Sequence, residues 1–471
     1  MNYKPTIGLE IHARLFTEKK IFCSCDNSFG GEANTRICPV CTGVKGALPV
    51  LNPEAVELGI KAGLVLGCEI CEKSAFDRKN YKSADLPKGY QITQQFRPFC
   101  KNGGIYIMGK NRRINNIHLE EDAAKITYSD GGMQVDYNRS GTPLIEIVTE
   151  PDFETSDEVS KFVEELALRL KYAGVCDGKI EQGSLRVDVN ISVAPEASSV
   201  FGTRCEIKNI GSLKSLRRAI DYEVNRQISV LENGEEIRCE TRRFNESEGI
   251  TEYMRLKESA EDYGYYPDPD MPELCISCPE IQNIKKQLPE MPSDRVDLYT
   301  AEYGLATEEA ENIVSDRAYA DWFESVCTWT GYRKKAASLM LVGMNRLFNK
   351  HGGSVAEIRF TPRDLAELAE LWGTGKISSA SAFAVLEEMF VYGGKPLKIA
   401  EQGNMVISFD KDVVKKEILC ILSEHSSAVC DYKSGNKKIF GFLMGIAVER
   451  MGKSANPADI KNVLEECIVN L

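Results

Sequence analysis

The stretch Thr6-Ile7-Gly8-Leu9-Glu10-Ile11-His12-Ala13-Arg14 alternates along its length. Ile7, Leu9 and Ile11 fall on one side, and Gly8, Glu10, His12 and Arg14 on the other. A two-residue period of this kind predicts a β-strand with one buried face. Ser184–Val193 repeats the pattern, with Leu185, Val187, Val189, Ile191 and Val193 opposing Ser184, Arg186, Asp188, Asn190 and Ser192. Leu144–Val148 and Arg204–Lys208 are shorter strand candidates. Together they predict an antiparallel sheet that buries one face and leaves the other polar.

Helical signals interrupt the strands. Asn52-Pro53 reads as an N-cap followed by proline at the first helical position, with Gly67 as the stop. Thr155 and Glu158 have capping-box spacing ahead of the stripe Val159, Phe162, Val163, Leu166 and Leu170, which closes near Gly174. Leu213, Leu216, Ile220, Val224, Ile228 and Leu231 predict a third helix ending at Asn233-Gly234. Strands and helices mixed without regular alternation predict an α+β class for residues 1–290. Prolines crowd residues 267–292, and beyond them the pattern turns helical, with helices expected over Arg363–Trp372 and Ser379–Phe390. Residues 392–407 carry Gly393, Gly394, Pro396 and Gly403 and read as a linker. The expected organisation is therefore 1–290, an all-α domain over 291–400, and a small helical tail over 401–471.

Composition agrees with a globular chain. At 471 residues about three domains are expected, and 43% hydrophobic with 27% charged residues excludes wholesale disorder and a collagen-like fibre. No stretch approaches the roughly 18 apolar residues of a membrane span, and Glu10 sits where a secretion signal needs an apolar core. No membrane association and a cytoplasmic setting are expected. The formal charge is 58 − 70 = −12. Polyanion affinity comes mainly from Lys and Arg, so any nucleic acid must be held by local patches and shape.

Three constellations could carry chemistry. Cys23-Ser24-Cys25 and Cys38-Pro39-Val40-Cys41 are two close thiol pairs twelve residues apart. Four soft ligands suit tetrahedral zinc and leave no open position, so the role would be structural. Cys68/Cys71 and Cys275/Cys278 also have CxxC spacing and read as incidental thiols. Second, Glu10 and His12 project from one strand face about 7 Å apart, and Glu121, Glu146 and Glu206 lie in other polar-faced strand candidates. Such oxygens with one imidazole could hold Mg²⁺, although the polar face of a half-buried strand is ordinarily just solvated. Third, Lys214, Arg217 and Arg218 cluster on one helix and Arg333, Lys334 and Lys335 on another, as solvated faces or phosphate contacts. HExxH, GxSxG and GxGxxG are absent, and Gly104–Lys110 fails as a phosphate loop because Asn111 replaces the hydroxyl residue.

Longer strings carry a more specific signal. IGLEIHARL, FDRKNY, DLPKGYQITQ, HLEEDAAK, DYNRSGTPLIEIVTEPD, EQGSLRVDVNIS and EIKNIGSLKSLRRAIDYE occur in order, followed by TRRFNES, DPDMP, GKISS and GKSANPADIKNVLEE. The whole chain thereby resembles the B subunits of tRNA-dependent amidotransferases. The resemblance implies an antiparallel-sheet cradle domain, a helical domain and a tail that touches tRNA. It implies activation by ATP of the side-chain carboxylate on glutamyl-tRNA(Gln), aspartyl-tRNA(Asn) or both, then amidation by ammonia from a glutamine-hydrolysing amidase (A) subunit, with a small C subunit clamping the two. Mg²⁺ would sit on Glu10, His12, Glu121, Glu146 and Glu206, zinc on the four cysteines, and Lys79, Arg186 and Lys208 would contact phosphate or carboxylate. The chain departs from the family pattern at Lys82-Ser83-Ala84, at Ala124 and at Gly264. The alternative these departures allow is a zinc-stabilised tRNA-binding adaptor with an inactive cradle.

Overall fold

The alternation of residues 6–14 is realised as strand β1 (Tyr3–Arg14) of a mixed sheet in a computed structural model, which describes residues 2–129, 131–256, 264–407, 411–434, 436–451 and 457–470. The chain divides into two compact units, Met1–Met291 and Pro292–Leu471. In the first, β1 is followed by β2 (Glu69–Ile70), β3 (Lys73–Ser74), β4 (Asp77–Asn80), β5 (Tyr90–Thr93), β6 (Cys100–Ile107), β7 (Lys110–Glu121), β8 (Lys125–Ser129) and β9 (Gly132–Asp136). Then come β10 (Pro143–Thr149), β11 (Leu185–Pro195), β12 (Cys205–Lys208), β13 (Glu240–Asn245), β14 (Ile250–Leu256), β15 (Gly264–Pro267) and β16 (Leu274–Cys275). Helices α1 (Pro53–Val65), α2 (Ser156–Tyr172), α3 (Leu213–Glu232) and α4 (Cys278–Gln287) complete the unit.

Among the described residues, nine strands form one sheet in the order β14-β13-β12-β11-β1-β10-β7-β6-β2, and a small sheet β15-β4-β5 stands apart from it. β1 pairs antiparallel with both β10 and β11, so His12 lies opposite Glu146 on one side and Arg186 on the other, and Glu10 opposite Asp188. Its apolar residues Ile7, Leu9 and Ile11 are fully buried in a core shared with Ile60 of α1, Phe162 and Leu166 of α2 and Leu216 of α3. Each fully buried side chain of this size contributes roughly 1.5–3 kcal/mol.

The helix signals hold in detail. The Asn52 side chain accepts from Glu54 N–H at the start of α1. Thr155 and Glu158 form a complete capping box on α2, and Gly174 follows it with φ +69°. Gly104–Lys110 runs from the end of β6 to the start of β7, and its turn is Met108-Gly109, both with positive φ.

The α+β class holds, with one strand pair departing from the antiparallel pattern and the linker reading corrected. The sheet is mixed, because β12 and β13 run parallel. Parallel neighbours need a crossover, and α3 supplies it. Residues 392–407 are not a bare linker: Pro396–Gln402 is a helix with Pro396 in its first turn, where the missing N–H costs nothing. A boundary at 400/401 would cut this helix. The second unit is helical, with Pro362–Gly373 and Ser379–Tyr392 close to expectation. In its last part Ile418, Ile421, Leu443, Ile460 and Leu464 form a separate apolar cluster. Asp410, Leu471 and residues 452–456 of the tail motif lie outside the described residues. No helix among those described is long and apolar enough to cross a membrane.

Gly63 in α1 gives a test with an unusual sign. Glycine to alanine inside a helix ordinarily stabilises by about 1 kcal/mol. Here a Cβ would stand 2.4 Å from Cys100 Sγ and 2.7 Å from Ile70 Cδ1. Gly63→Ala is expected to destabilise the first unit by about 1–3 kcal/mol through overpacking, read as a lower urea midpoint.

Candidate functional site

On the face of the sheet opposite the helices, alternate residues of five strands converge. Glu10 and His12 come from β1, His118 and Glu120 from β7, Glu146 from β10, Arg186 and Asp188 from β11, and Glu206 and Lys208 from β12. With Lys79 of β4 and Tyr265 of β15 they line a cleft of about 1200 Å³. The polar wall is therefore the complement of the buried apolar one, strand by strand.

Two donor sets stand side by side. In the first, His12 Nε2 lies 3.1 Å from a Glu120 oxygen and 3.5 Å from a Glu146 oxygen. His118 Nε2 reaches the same Glu146 oxygen at 3.2 Å, and its Nδ1 lies 3.0 Å from Asn116 Oδ1. In the second, Glu10, Asp188 and Glu206 each offer an oxygen within 4.8 Å of the others. Asn190 donates to Glu10 at 2.9 Å and Thr241 Oγ1 to Glu206 at 2.8 Å, fixing both carboxylates.

The electrostatics report concentrated negative charge. Burial would pull the His12 imidazole down, yet Glu146 and Glu120 hold it well above its ordinary value. Burial would likewise raise Glu146, but His118 and His12 hold it well below the usual carboxylate range. Lys79 is raised: burial opposes its charge, and Glu120 and Glu146 more than offset that. Lys208 behaves alike between Asp188 and Glu206. Arg186 pairs with Asp122 at 2.9 Å, and Asp122 also meets Arg139 at 3.3 Å. The all-oxygen set suits a hard divalent cation, and the set with one imidazole accepts one too.

Of the expected residues, Glu10, His12, Glu146, Glu206, Lys79, Arg186 and Lys208 meet in the cleft. Glu121 does not. It points to the opposite face, is buried, pairs with Lys88 and accepts from Ile92 N–H at 2.9 Å. Glu120 occupies the position expected of it. The residues also split into two donor sets rather than one. Glu120 was findable, since His118, Glu120 and Asp122 share a two-residue period. Asp188 lay on the polar face but needs the β1–β11 register to reach Glu10. Asp85 also lines the cleft, with one buried carboxylate oxygen that has no hydrogen-bond partner among the described residues.

Elsewhere, Cys23, Cys25, Cys38 and Cys41 offer four sulfurs within 4.8 Å of one another, enough for a tetrahedral metal. The Cys41 thiol is pulled down to about 4 by the Cys23 thiol donating to it, with the Cys38 N–H and Lys20 adding to the effect. Cys68/Cys71 and Cys275/Cys278 join no such set among the described residues, and Cys278 Sγ instead meets Glu72 at 2.7 Å. Arg217 pairs with Asp157, and Lys335 lies over the Trp372 ring, so part of each basic cluster is used internally. The departures Lys82 and Ser83 line the cleft, and Gly264 pairs with Asn80 beside it.

A family described as the GatB/GatE catalytic domain matches residues 5–282, and one described as the GatB domain matches residues 321–468. Over 99% of its own length and of theirs, the chain is similar to proteins named as the B subunit of aspartyl/glutamyl-tRNA(Asn/Gln) amidotransferase. One, from Caldicellulosiruptor saccharolyticus, is 44% identical over 475 residues. Those of Clostridium kluyveri and Thermoanaerobacter pseudethanolicus are 42% and 44% identical. The chain belongs to this family of amidotransferase B subunits. It is thus one component of a glutamine-hydrolysing aminoacyl-tRNA amidotransferase, a ligase that forms C–N bonds. The first family match spans every residue of the cleft.

Adjacent Glu120 and Glu121 separate site from scaffold. Glu120→Gln is expected to weaken Mn²⁺ binding, measured by titration calorimetry, with little change in melting temperature. Glu121→Gln is expected to do the reverse, costing about 1–3 kcal/mol as Lys88 loses its buried partner.

Proposed function

We propose that the cleft activates the side-chain carboxylate of a misacylated tRNA with ATP, as a first step toward its amide. The convergence of His12, Glu120 and Glu146 with Glu10, Asp188 and Glu206, flanked by Lys79, Arg186 and Lys208, carries this reading. A carboxylate resists attack because oxide is a poor leaving group. Transfer of the terminal phosphoryl group to it gives an acyl phosphate and ADP. Ammonia then adds to the acyl carbon and phosphate departs, leaving the amide.

Phosphoryl transfer needs positioning and charge neutralisation more than a protein nucleophile. Mg²⁺ held by the two donor sets would offset the charge of the triphosphate. Of the cations that line the cleft, Lys79, Arg186 and Lys208 are assigned to phosphate or carboxylate oxygens, and their acidic neighbours keep them protonated and in place. The four-cysteine cluster is assigned to structural zinc. The substrates are glutamyl-tRNA(Gln), aspartyl-tRNA(Asn) or both, as the relatives' name covers both. Ammonia comes from glutamine hydrolysed on an amidase (A) subunit, with a small C subunit in the assembly. The helical tail contacts tRNA, and the setting is the cytoplasm. Two intact donor sets around a large cleft favour this reading over an inactive adaptor.

In the reconstituted enzyme, Glu10→Ala and His12→Ala are each expected to lower ATP-dependent amidation by on the order of 10² or more, while glutamine hydrolysis by the partner persists. Full amidation by folded variants rules the reading out. Elemental analysis is expected to find about one zinc per chain, and Cys38→Ser to lose both the metal and thermal stability.

A further inference from the structure

Lys20 is fully buried, an uncommon place for a lysine. Its Nζ lies 3.6 Å from Cys41 Sγ and donates to the Tyr137 carbonyl at 3.2 Å. The amine therefore bridges the four-cysteine cluster to the turn that leads into β10. The same turn is tied to the cluster at other points. Ser140 Oγ donates to the Cys41 carbonyl at 3.0 Å, and Ile21 N–H donates to the Gly141 carbonyl at 2.9 Å. Gly141 has φ +79°, and a Cβ there would touch Cys41 Cβ and the Lys20 chain at 3.6 Å. Asn34 and Arg36, between the cysteine pairs, donate backbone N–H groups to Asp136 at 3.0 Å and Asn138 at 2.8 Å.

That turn also carries Arg139 into the cleft. Arg139 holds Asp122, and Asp122 holds Arg186, whose β11 position pairs directly with His12 of β1. The Gly141 N–H donates to the Asp122 carbonyl at 3.0 Å, which anchors the turn to the end of β7 from the other side. An unbroken run of contacts thus leads from Cys41 through Lys20 and residues 137–141 to Arg186.

The geometry points to Lys20 as a positioning residue that couples the four-cysteine cluster to the cleft. This rests on the assignments above, zinc on the cysteines and carboxylate activation in the cleft. Four thiolates around a divalent ion carry two net negative charges, and a buried lysine touching one sulfur offsets part of them. The same amine fixes the Tyr137 carbonyl, so loss of the metal or of the amine releases the turn and with it the Arg139–Asp122–Arg186 run. The cluster acts on the reaction through this run and touches no substrate.

The test uses the assembled amidotransferase with Lys20→Met and, as a milder variant, Ser140→Ala. Three quantities are read: zinc release to a colorimetric chelator, kcat and KM for ATP-dependent amidation of misacylated tRNA, and the glutamine hydrolysis of the amidase component. Outer-shell contacts of metal ligands are worth roughly 10–100-fold. Lys20→Met is expected to release zinc at least roughly tenfold faster and to lower kcat by a similar factor. KM for tRNA and the rate of glutamine hydrolysis stay unchanged. Ser140→Ala moves kcat in the same direction by less, and decides the matter if Lys20→Met does not fold. Faster zinc release with an unchanged kcat per folded enzyme overturns the coupling and leaves the zinc assignment standing. Wild-type enzyme that holds no zinc removes that assignment instead, and a lowered kcat in both variants then still supports the positioning role.

Discussion

The two-residue period of β1 is the constraint on which the first unit depends. Because its neighbours β10 and β11 pair with it on both sides, its alternation fixes theirs. Every residue that turns Ile7, Leu9 or Ile11 into the core turns a polar one toward the cleft. A one-residue slip would bury Glu10 and His12 under α1 and α2 and expose the isoleucines, an exchange no compensating contact could offset. Core stability and site geometry are thus one requirement, met by the same backbone register.

The acidic wall that results is kept in place by balance. The five carboxylates of the two donor sets would repel one another if left bare, and Lys79, Lys208, Arg186 and the rings of His12 and His118 are distributed among them. The raised imidazole of His12 and the lowered Glu146 are the two faces of that balance. The site is built to receive positive charge, with neutral donors such as Asn190 and Thr241 fixing its carboxylates so that they need not reorganise when it arrives.

Much of this was legible in the chain. Glu10, His12, Glu146 and Glu206 each sit on the polar side of a strand whose alternation is plain, and the capping box at Thr155 names its own helix start. Glu121 misleads because two adjacent glutamates face opposite ways, and only the phase set by His118 tells them apart. Asp188 and Lys20 were out of reach for a different reason: their roles exist only through partners far along the chain, and no local pattern encodes a register or a buried bridge. The parallel β12–β13 pairing was hidden likewise, since an isolated short strand does not disclose its direction. The helix at Pro396 was masked by flanking glycines that read as a linker.

The placement of β1 between β10 and β11 bears on how the chain comes off the ribosome. β1 has no sheet partner before residue 143 and is not enclosed on both sides until residue 195 has emerged. At about 5–20 residues per second, that interval is on the order of ten seconds. Throughout it the nascent chain displays an unpaired β-edge with an isoleucine-rich face, the kind of surface that chaperones shield and that sticks to its own copies when they do not.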